Sequence, residues 1–217
     1  VQPGDEVIVP ALTMSSTSIP VVLCGAIPVF ADSDPDTFEI SADSIEKVIT
    51  PKTKAIITVS LYGLAPDYDR ILPLCRKHGL ALIEDNAECF LGTYKGRLVG
   101  EFGDFASFSF QASKHLTCGE GGMLVTDNEE LADKARRLNC LGYAGVSAKK
   151  GKITRNDIQD PNYSRHVSFG YNYRMSELQA ACACAQLERA GELVEQRVKV
   201  AALFDELAVR RLRDEAD

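Results

Sequence analysis

One lysine of this 217-residue chain lies at a position where solvent-exposed lysines are uncommon. Lys114 follows the apolar run Phe105-Ala-Ser-Phe-Ser-Phe110 and precedes the glycine-bearing turn Gly119–Gly122. If the run is a strand, Phe108 and Phe110 share one face and the serines share the other, so Lys114 emerges on the polar side. Burial disfavours the charged form of an amine and frees its lone pair to attack a carbonyl carbon. The pattern therefore predicts a Schiff-base lysine.

An aspartate ends a second apolar run, Leu82-Ile-Glu-Asp85. In open α/β sheets, ligands bind in the crevice outside the carboxyl ends of the strands. A carboxylate there can keep a pyridine nitrogen protonated while a lysine bonds the aldehyde of pyridoxal 5′-phosphate (PLP). Lys114 and Asp85 together therefore predict a PLP enzyme. Without Lys114, we would favour a simpler role for Asp85 as the cap of a following helix.

Two neighbouring features of the lysine block have simpler alternatives. Ser109 lies five residues before Lys114, and its hydroxyl could donate to a phosphate oxygen or bond the backbone of its own strand. The run Gly119-Glu-Gly-Gly122 is most simply a tight turn. Leu124 stands where a G-x-G-x-x-G motif needs its last glycine, so a nicotinamide-dependent enzyme is disfavoured.

Short apolar runs alternate with helical patterns, which predicts an α/β fold with a sheet layered by helices. The predicted strands are Glu6–Pro10, Pro28–Ala31, Ala55–Ser60, Ala81–Glu84, Ala106–Phe110 and Met123–Thr126. The predicted helices are Ser15–Cys24, Asp43–Ile49, Tyr68–His78, Glu129–Leu138, a helix from Ser176 to about Ala190, and another from Glu192 toward Leu207.

The spacing of polar residues predicts two helix starts and one long loop. Asp127 with Glu130, and Ser176 with Gln179, have the residue types of N-terminal capping pairs. Between Gly142 and Tyr171 the chain is polar and lacks periodicity, which predicts a long loop of the kind that carries function or contacts a partner.

Composition narrows the classes of function. The formal charge of -7 argues against a nucleic-acid surface, and the one basic cluster, Lys149–Lys152, is typical of a solvated loop. The three histidines lack metal-ligand spacing, so we expect no metal site. No apolar run approaches the roughly 18 residues that a membrane span needs, and we expect no signal peptide. We therefore expect a soluble, cytoplasmic protein without a membrane partner.

Seven cysteines occur in the chain, an odd number without a C-x-x-C pair, at positions 24, 75, 89, 118, 140, 182 and 184. Most of them stand in apolar runs. This pattern predicts reduced, buried thiols and not a disulfide framework.

The motifs taken together resemble the DegT/DnrJ/StrS family of PLP-dependent sugar aminotransferases. The resemblance covers most of the chain from about residue 4 to 205. Besides the block from Phe108 to Gly122, the matching segments are Gly4–Pro10, Gly25–Phe30, Thr50–Lys54, Ile83–Ala87 and Gly170–Ala181.

This resemblance implies the fold of the aspartate aminotransferase superfamily, fold type I, with a three-layer large domain around a mostly parallel mixed sheet. It assigns residues 1–190 to the PLP-binding large domain and 191–217 to the start of a helix that leads to a C-terminal small domain. The family's glycine-threonine phosphate-binding turn lies upstream of Val1, and the small domain is not within the chain. Both ends therefore look cut, as expected for a fragment.

The resemblance also implies roles for single residues. Lys114 corresponds to the Schiff-base lysine, Asp85 to the pyridinium partner and Ser109 to a phosphate ligand. Asn172 matches an asparagine that reaches the cofactor phosphate of the neighbouring subunit, which implies a homodimer with shared active sites. On the residue pattern alone, Asn172 would be a loop amide.

Two further positions depart from the family pattern. Glu88 falls where many relatives carry Gln or His beside the phenolic oxygen of the cofactor, and a carboxylate there would need its own proton or would face away. Met14 falls where relatives often place an aromatic ring over the pyridine; a thioether can cover that face with weaker stacking.

The implied activity is transfer of an amino group, from glutamate, to a keto sugar that is nucleotide-activated, by a ping-pong Schiff-base mechanism in polysaccharide biosynthesis. Related dehydratases carry histidine in place of the lysine, so Lys114 favours transamination. The missing ends leave a second hypothesis open, a non-catalytic remnant with an assembly or regulatory role. The sugar, the nucleotide and the carbon that is aminated are not readable from the sequence.

Overall fold

The structure is a computed structural model and describes residues 1–144 and 154–214. Its centre is a six-stranded sheet with strand order β2-β1-β3-β4-β7-β8. The strands are β1 (Glu6–Pro10), β2 (Ile27–Ala31), β3 (Thr53–Val59), β4 (Ala81–Asp85), β7 (Phe105–Ser109) and β8 (Gly122–Val125). All neighbours are parallel except β7 and β8, which are antiparallel. The six predicted strands are confirmed, with ends that move by one or two residues.

The helices are α1 (Ile19–Leu23), α2 (Ala42–Val48), α3 (Tyr68–His78), α4 (Glu129–Asn139), α5 (Arg155–Gln159), α6 (Glu177–Leu187) and α7 (Ala190–Asp214). A small hairpin, β5 (Thr93–Tyr94) with β6 (Arg97–Leu98), lies between β4 and β7. Helices cover both faces of a mostly parallel mixed sheet, so the predicted α/β architecture is confirmed.

Alternation along the strands divides the core into two layers. Ile8 points to the face that α2 and α3 cover, where it packs in one buried cluster with Ile45 and Ile71. Val7 and Val9 point to the opposite face and pack in a second cluster with Val21 of α1. A third cluster packs Phe110 and Leu116 against Ala190, the first residue of α7. This third contact joins the end of β7 to the last helix.

A buried carboxylate fixes the end of β4 from inside the core. Glu84 is fully buried and accepts hydrogen bonds from the hydroxyl of Tyr68 and from the backbone N–H groups of Gly100, Phe102 and Gly103, at 2.6 to 2.9 Å. Burial of a charge is tolerated when hydrogen bonds satisfy it in this way. The network ties the turn before β7 to β4, so the two strands that carry Asp85 and Ser109 share one frame.

Two local predictions were wrong. The segment Ser15–Cys24 is not one helix: a 3₁₀ turn at Ser15–Thr17 is followed by α1. Pro20 explains the break, because its ring lacks an N–H and clashes with the carbonyl four residues earlier in a continuous helix. Asp127 does not cap α4. The cap is Asn128, whose side chain accepts from the N–H groups of Glu130 and Leu131 at 3.0 and 3.1 Å.

The long loop is partly structured. The predicted cap at Ser176 is confirmed, since Ser176 and Gln179 exchange both bonds of a capping box. Within Gly142–Tyr171, the short helix α5 starts with a second capping box, made by Thr154 and Asp157. Five residues are too few for helical periodicity to show in a sequence. Residues 145–153, which include the basic cluster, lie outside the described part of the chain.

The expected burial of the cysteines was wrong for most of them. All seven thiols are free, but only Cys75 and Cys89 are buried, and Cys24, Cys182 and Cys184 are exposed. The last two lie on α6, none of whose residues is buried. No helix within residues 1–144 and 154–214 is long and apolar enough to cross a membrane.

Candidate active site

Asp85 lies at the carboxyl end of β4, where the strand stops and a turn begins. Its register partner in β7 is Ser107. One carboxylate oxygen, Oδ1, accepts from the N–H of Ala87 at 3.1 Å, and the other, Oδ2, accepts from the hydroxyl of Thr17 at 3.0 Å. No helix follows within residues 86–92, so the alternative reading of Asp85 as a helix cap is wrong. The carboxylate is anchored at both oxygens beside a cavity.

Lys114 lies in the connection between the antiparallel strands β7 and β8. Backbone bonds close this connection, from the N–H of Phe110 to the carbonyl of Gly121 at 2.8 Å and from the N–H of Cys118 to the carbonyl of Phe110 at 3.0 Å. Gly119 has φ of +88°, as the predicted tight turn requires. The Lys114 side chain is 19% exposed, so most of it is removed from solvent.

The ammonium of Lys114 faces a carboxylate. Lys114 Nζ lies 3.6 Å from Glu88 Oε1, and the second oxygen of Glu88 accepts from the N–H of Tyr62 at 3.4 Å. Of the two arrangements considered for Glu88, the structure does not show the one in which it faces away. It points at the lysine.

A cavity of about 680 Å³ collects these groups. It lies within the 300 to 1,000 Å³ range of small-molecule sites. The residues that line it come from the turn after β1, the end of β3, the end of β4 and the turn after it, and β7 with the connection that follows it: Thr13, Met14, Ser16, Thr17, Val59, Asp85, Ala87, Glu88, Ser107, Ser109, Gln111, Ser113 and Lys114. The structure therefore brings Lys114, Asp85, Glu88, Ser109 and Met14 together, although they are scattered over 101 sequence positions.

Asn172 lies elsewhere. It pairs with Cys140 in an isolated antiparallel bridge, and it is exposed. It does not line the cavity of its own chain, within the part of the protein that the structure describes. The side chains around it are exposed aromatics, with Tyr171 stacked on Tyr173 and Phe169 99% exposed.

Two residues that contact the candidate site were not predicted. Thr17 is 3% exposed and bonds Asp85 across 68 sequence positions. Arg197 of α7 donates from Nη2 to the carbonyl of Lys114 at 3.2 Å, across 83 positions. Neither stands in a motif, and no periodic signal singles them out, because both contacts arise only when distant elements pack together.

The packing of α7 against the lysine connection also affects the pKa of His115. Burial lowers the pKa of the imidazole, and the positive charges of Arg197 and Lys114 lower it further, while Glu88 opposes them. His115 therefore favours its neutral form next to the lysine connection. It lines a separate hollow of about 690 Å³ against α7 and not the cavity that contains Asp85.

The cavity residues fit a pyridoxal phosphate. Asp85 is an acceptor held at both oxygens, which suits a protonated ring nitrogen. Ser109 Oγ accepts from the N–H of Gln111 at 3.3 Å, so its own proton remains free to donate to a phosphate oxygen. Among the residues that the structure describes, Lys114 is the one lysine that lines the cavity. The donor set therefore matches the three polar ends of the cofactor.

The sequence profile of the DegT/DnrJ/EryC1/StrS aminotransferase family matches residues 1–212. The chain belongs to this family. The resemblance inferred from the sequence motifs is thereby confirmed.

The names of the curated relatives describe more than one role. The GDP-perosamine synthase of Caulobacter vibrioides is 44% identical over 211 residues, which are 96% of this chain and 52% of that protein. The pleiotropic regulatory protein of Geobacillus stearothermophilus is 39% identical over 215 residues, 99% of this chain and 53% of that protein. The chain spans about half the length of the curated relatives it matches.

Solved relatives share the fold. The putative sugar aminotransferase Spr1654 of Streptococcus pneumoniae, in its PLP form, is 33% identical with a TM-score of 0.82, over 95% of this chain and 54% of that one. The same protein has been solved in a PMP form, which superposes with a TM-score of 0.83 over 95% of this chain and 55% of that one. The fold of the family is therefore also that of the chain described here.

Proposed function

We propose that this chain is the cofactor-binding part of a PLP-dependent aminotransferase that transfers an amino group to a keto sugar. The observation that carries the proposal is the shared cavity, in which Lys114, Asp85 and Ser109 present an amine, a carboxylate and a hydroxyl. Membership of the aminotransferase family supports it. The name of the relative from Caulobacter vibrioides, GDP-perosamine synthase, favours a nucleotide-activated sugar as the acceptor.

We assign the contacts to the cofactor as follows. When PLP is bound, Lys114 would hold its aldehyde carbon, Asp85 its ring nitrogen and Ser109 its phosphate, and Glu88 would lie on the side of the phenolic oxygen. PLP, when bound, supplies the electron sink that makes the Cα–H bond of an amino acid acidic. Met14 is 64% exposed at the cavity wall and is the candidate to cover one ring face.

The residues of the chain then act on protons. Asp85 keeps the proton on the ring nitrogen, because a carboxylate beside that nitrogen favours its charged form. Lys114 Nζ removes the Cα proton of the amino donor, which we propose to be glutamate. In the second half of a ping-pong cycle, Lys114 Nζ takes part in the reverse transfer and delivers a proton to the sugar carbon that receives the amine. Glu88, 3.6 Å away, balances the charge of Lys114 whenever the amine is protonated.

Asn172 leads to a proposal about assembly. Its exposure outside the cavity agrees with a role toward the phosphate of a neighbouring subunit, in a homodimer with shared active sites. The exposed aromatic side chains beside it, Phe169, Tyr171 and Tyr173, are of the types enriched in protein interfaces. Asn172→Ala should weaken PLP retention in the dimer more than it alters the fold.

We also propose a division of the chain into domains and a cellular location. We assign residues 1–190 to the PLP-binding large domain and 191–217 to the helix that leads to a small domain. The start of α7 at Ala190 supports this boundary, while residues 215–217 lie outside the described part of the chain. Seven free thiols agree with a reducing, cytoplasmic compartment.

A regulatory or assembly role without catalysis is the second candidate. It is favoured by the name of one relative, the pleiotropic regulatory protein of Geobacillus stearothermophilus. The two candidate functions predict different visible absorption spectra after incubation with PLP. An aminotransferase binds PLP and turns yellow, whereas a chain with only an assembly role has no need of the cofactor.

The half-reaction tests the proposed function. The 217-residue chain is loaded with PLP and mixed with L-glutamate, and the visible band and 2-oxoglutarate are followed. We expect the band to disappear, 2-oxoglutarate to form in equal amount, and a nucleotide-linked keto sugar to restore the band. Lys114→Ala should abolish both signals, whereas Lys134→Ala, which removes an exposed lysine paired with Glu130, should leave them unchanged. A PLP-loaded chain that releases no keto acid from glutamate or other amino acids would contradict the proposal.

A further inference from the structure

Thr17 occupies an unusual place for a hydroxyl in the 3₁₀ turn after β1. The two serines before it in the turn are exposed, while Thr17 is 3% exposed. Its Oγ1 lies 3.0 Å from Asp85 Oδ2 and 3.0 Å from the hydroxyl oxygen of Thr13. In the sheet, β3 separates β1 from β4, so the turn reaches over one strand to contact Asp85.

The direction of these bonds follows from the chemistry of Asp85. An ionised carboxylate only accepts hydrogen bonds, and a hydroxyl has a single proton. The proton of Thr17 is therefore committed to Asp85, and the oxygen of Thr17 accepts from Thr13. The result is a directed chain from Thr13 through Thr17 to Asp85, along one wall of the cavity.

This chain complements the bond at the other oxygen. Ala87 N–H binds Asp85 Oδ1 from the turn that follows β4, while Thr17 binds Oδ2 from the turn that follows β1. Two anchors from different elements fix the plane of the carboxylate, whereas one anchor leaves it free to rotate about its last side-chain bond. The remaining lone pairs of Asp85 can then face the cavity in one orientation.

We propose that Thr17 is a positioning residue that holds Asp85 in the orientation required by the ring nitrogen of the cofactor, an inference that rests on the proposed function. Thr17 acts through Asp85 and does not itself bind the ring nitrogen. Thr17 is buried as a whole, so a purely structural role would need only the shape of the side chain. A positioning role needs the hydroxyl.

The variants Thr17→Val and Thr17→Ser separate shape from hydroxyl. Valine keeps the volume and loses the donor, while serine keeps the donor and loses a methyl group. PLP affinity of the full 217-residue chain is measured by titration of the visible band, with thermal unfolding followed in parallel. We expect Thr17→Val to weaken binding about tenfold or more, the size of one lost hydrogen bond to a charged group, and Thr17→Ser to stay within about threefold.

A double-mutant cycle decides whether Thr17 acts through Asp85. In an Asp85→Ala background, Thr17→Val should cause no further loss of PLP affinity. An equal loss of PLP affinity in both backgrounds would overturn the positioning role. So would a Thr17→Val variant that binds PLP like the wild type, or a Thr17→Ser variant that binds PLP as weakly as Thr17→Val does. If the Thr17→Val variant does not fold, the PLP affinities of Thr17→Ala and Thr17→Ser are compared in its place.

The outcomes also separate this inference from the proposed function. A wild-type chain that takes up PLP, with an unchanged Thr17→Val variant, contradicts the role of Thr17 alone. A wild-type chain that takes up no PLP contradicts both.

Discussion

Lys114 Nζ faces Glu88 Oε1 at 3.6 Å, with the two side chains 19% and 28% exposed. Glu88 is held by the N–H of Tyr62, and the carbonyl of Lys114 is held by Arg197. The amine thus has an ionic partner in the same cavity as Asp85. Bonding to a cofactor aldehyde requires Lys114 to leave this pair, so Glu88 opposes attachment while it keeps the amine inside the cavity.

Glu88→Gln should strengthen the attachment of PLP to Lys114. An ion pair of this exposure is worth up to about 1 kcal/mol, so the expected gain in affinity is severalfold at most. Titration of the visible band at low ionic strength measures it, and Glu130→Gln, which removes the exposed partner of Lys134, is the control. Weaker binding by Glu88→Gln would contradict the view that the ion pair with Lys114 opposes attachment of the cofactor.

Arg197→Gln should loosen the lysine connection. The guanidinium bonds the carbonyls of Lys114 and Ser113 at 3.2 and 3.5 Å, so its loss frees both from α7. We expect faster amide hydrogen exchange in residues 112–118 and a loss of about 1 to 2 kcal/mol in the free energy of unfolding. Arg210→Gln, which breaks an ion pair with Glu206 within the same helix, is the matched control. Unchanged exchange after Arg197→Gln would show that α7 does not restrain the connection.

Glu39 should make the stability of the protein depend on pH. It is 4% exposed, and burial raises its pKa from an ordinary 4.5 to about 8, although the N–H of Leu61 bonds one oxygen. Its other oxygen has no hydrogen-bond partner among the described residues. Above pH 4.5 the unfolded chain ionises this group and the folded chain does not, so the contribution of Glu39 to stability is fully present below pH 4.5 and is lost as pH rises toward 8.

Glu39→Gln removes that titration. Each unit of difference in pKa between the folded and unfolded chain is worth about 1.4 kcal/mol. Ionisation of Glu39 should therefore lower the free energy of unfolding by an amount on the order of a few kcal/mol between pH 4.5 and pH 8. Urea unfolding at pH 5, 6, 7 and 8 compares the two proteins, and the variant should lose less stability over this range and be the more stable at pH 8. Glu46→Gln, at an exposed carboxylate paired with Lys77, serves as control. Parallel pH profiles for wild type and Glu39→Gln would contradict the buried, neutral state of Glu39.

The strands and the convergence of Lys114 with Asp85 were predictable because they follow from local rules. Apolar runs that end in polar residues mark strands, and the carboxyl ends of parallel strands meet at one edge of a sheet. The cap of α4 shows the limit of such rules. Asp127 and Asn128 are both good capping residues, and only the position at which the helix starts decides between them.

The contacts of Thr17 and Arg197 could not be predicted because they depend on packing between distant elements. Thr17 contacts Asp85 only because Pro20 divides the predicted helix and leaves a 3₁₀ turn at the edge of the cavity. Arg197 reaches Lys114 only because Ala190 packs α7 against Phe110 and Leu116. For Cys182 and Cys184 the local pattern was misleading. Their apolar neighbours in the sequence predicted buried thiols, but both cysteines are exposed and no residue of α6 is buried.

Chemical trapping of the cofactor tests the central claim most directly. The 217-residue chain is incubated with PLP, reduced with sodium borohydride, digested and mapped by mass spectrometry. We predict one phosphopyridoxyl group per chain, on Lys114, and none on the Lys114→Ala variant, while Lys134→Ala is labelled like the wild type. A chain that acquires no label, or one that is labelled to the same extent after Lys114→Ala, would contradict it.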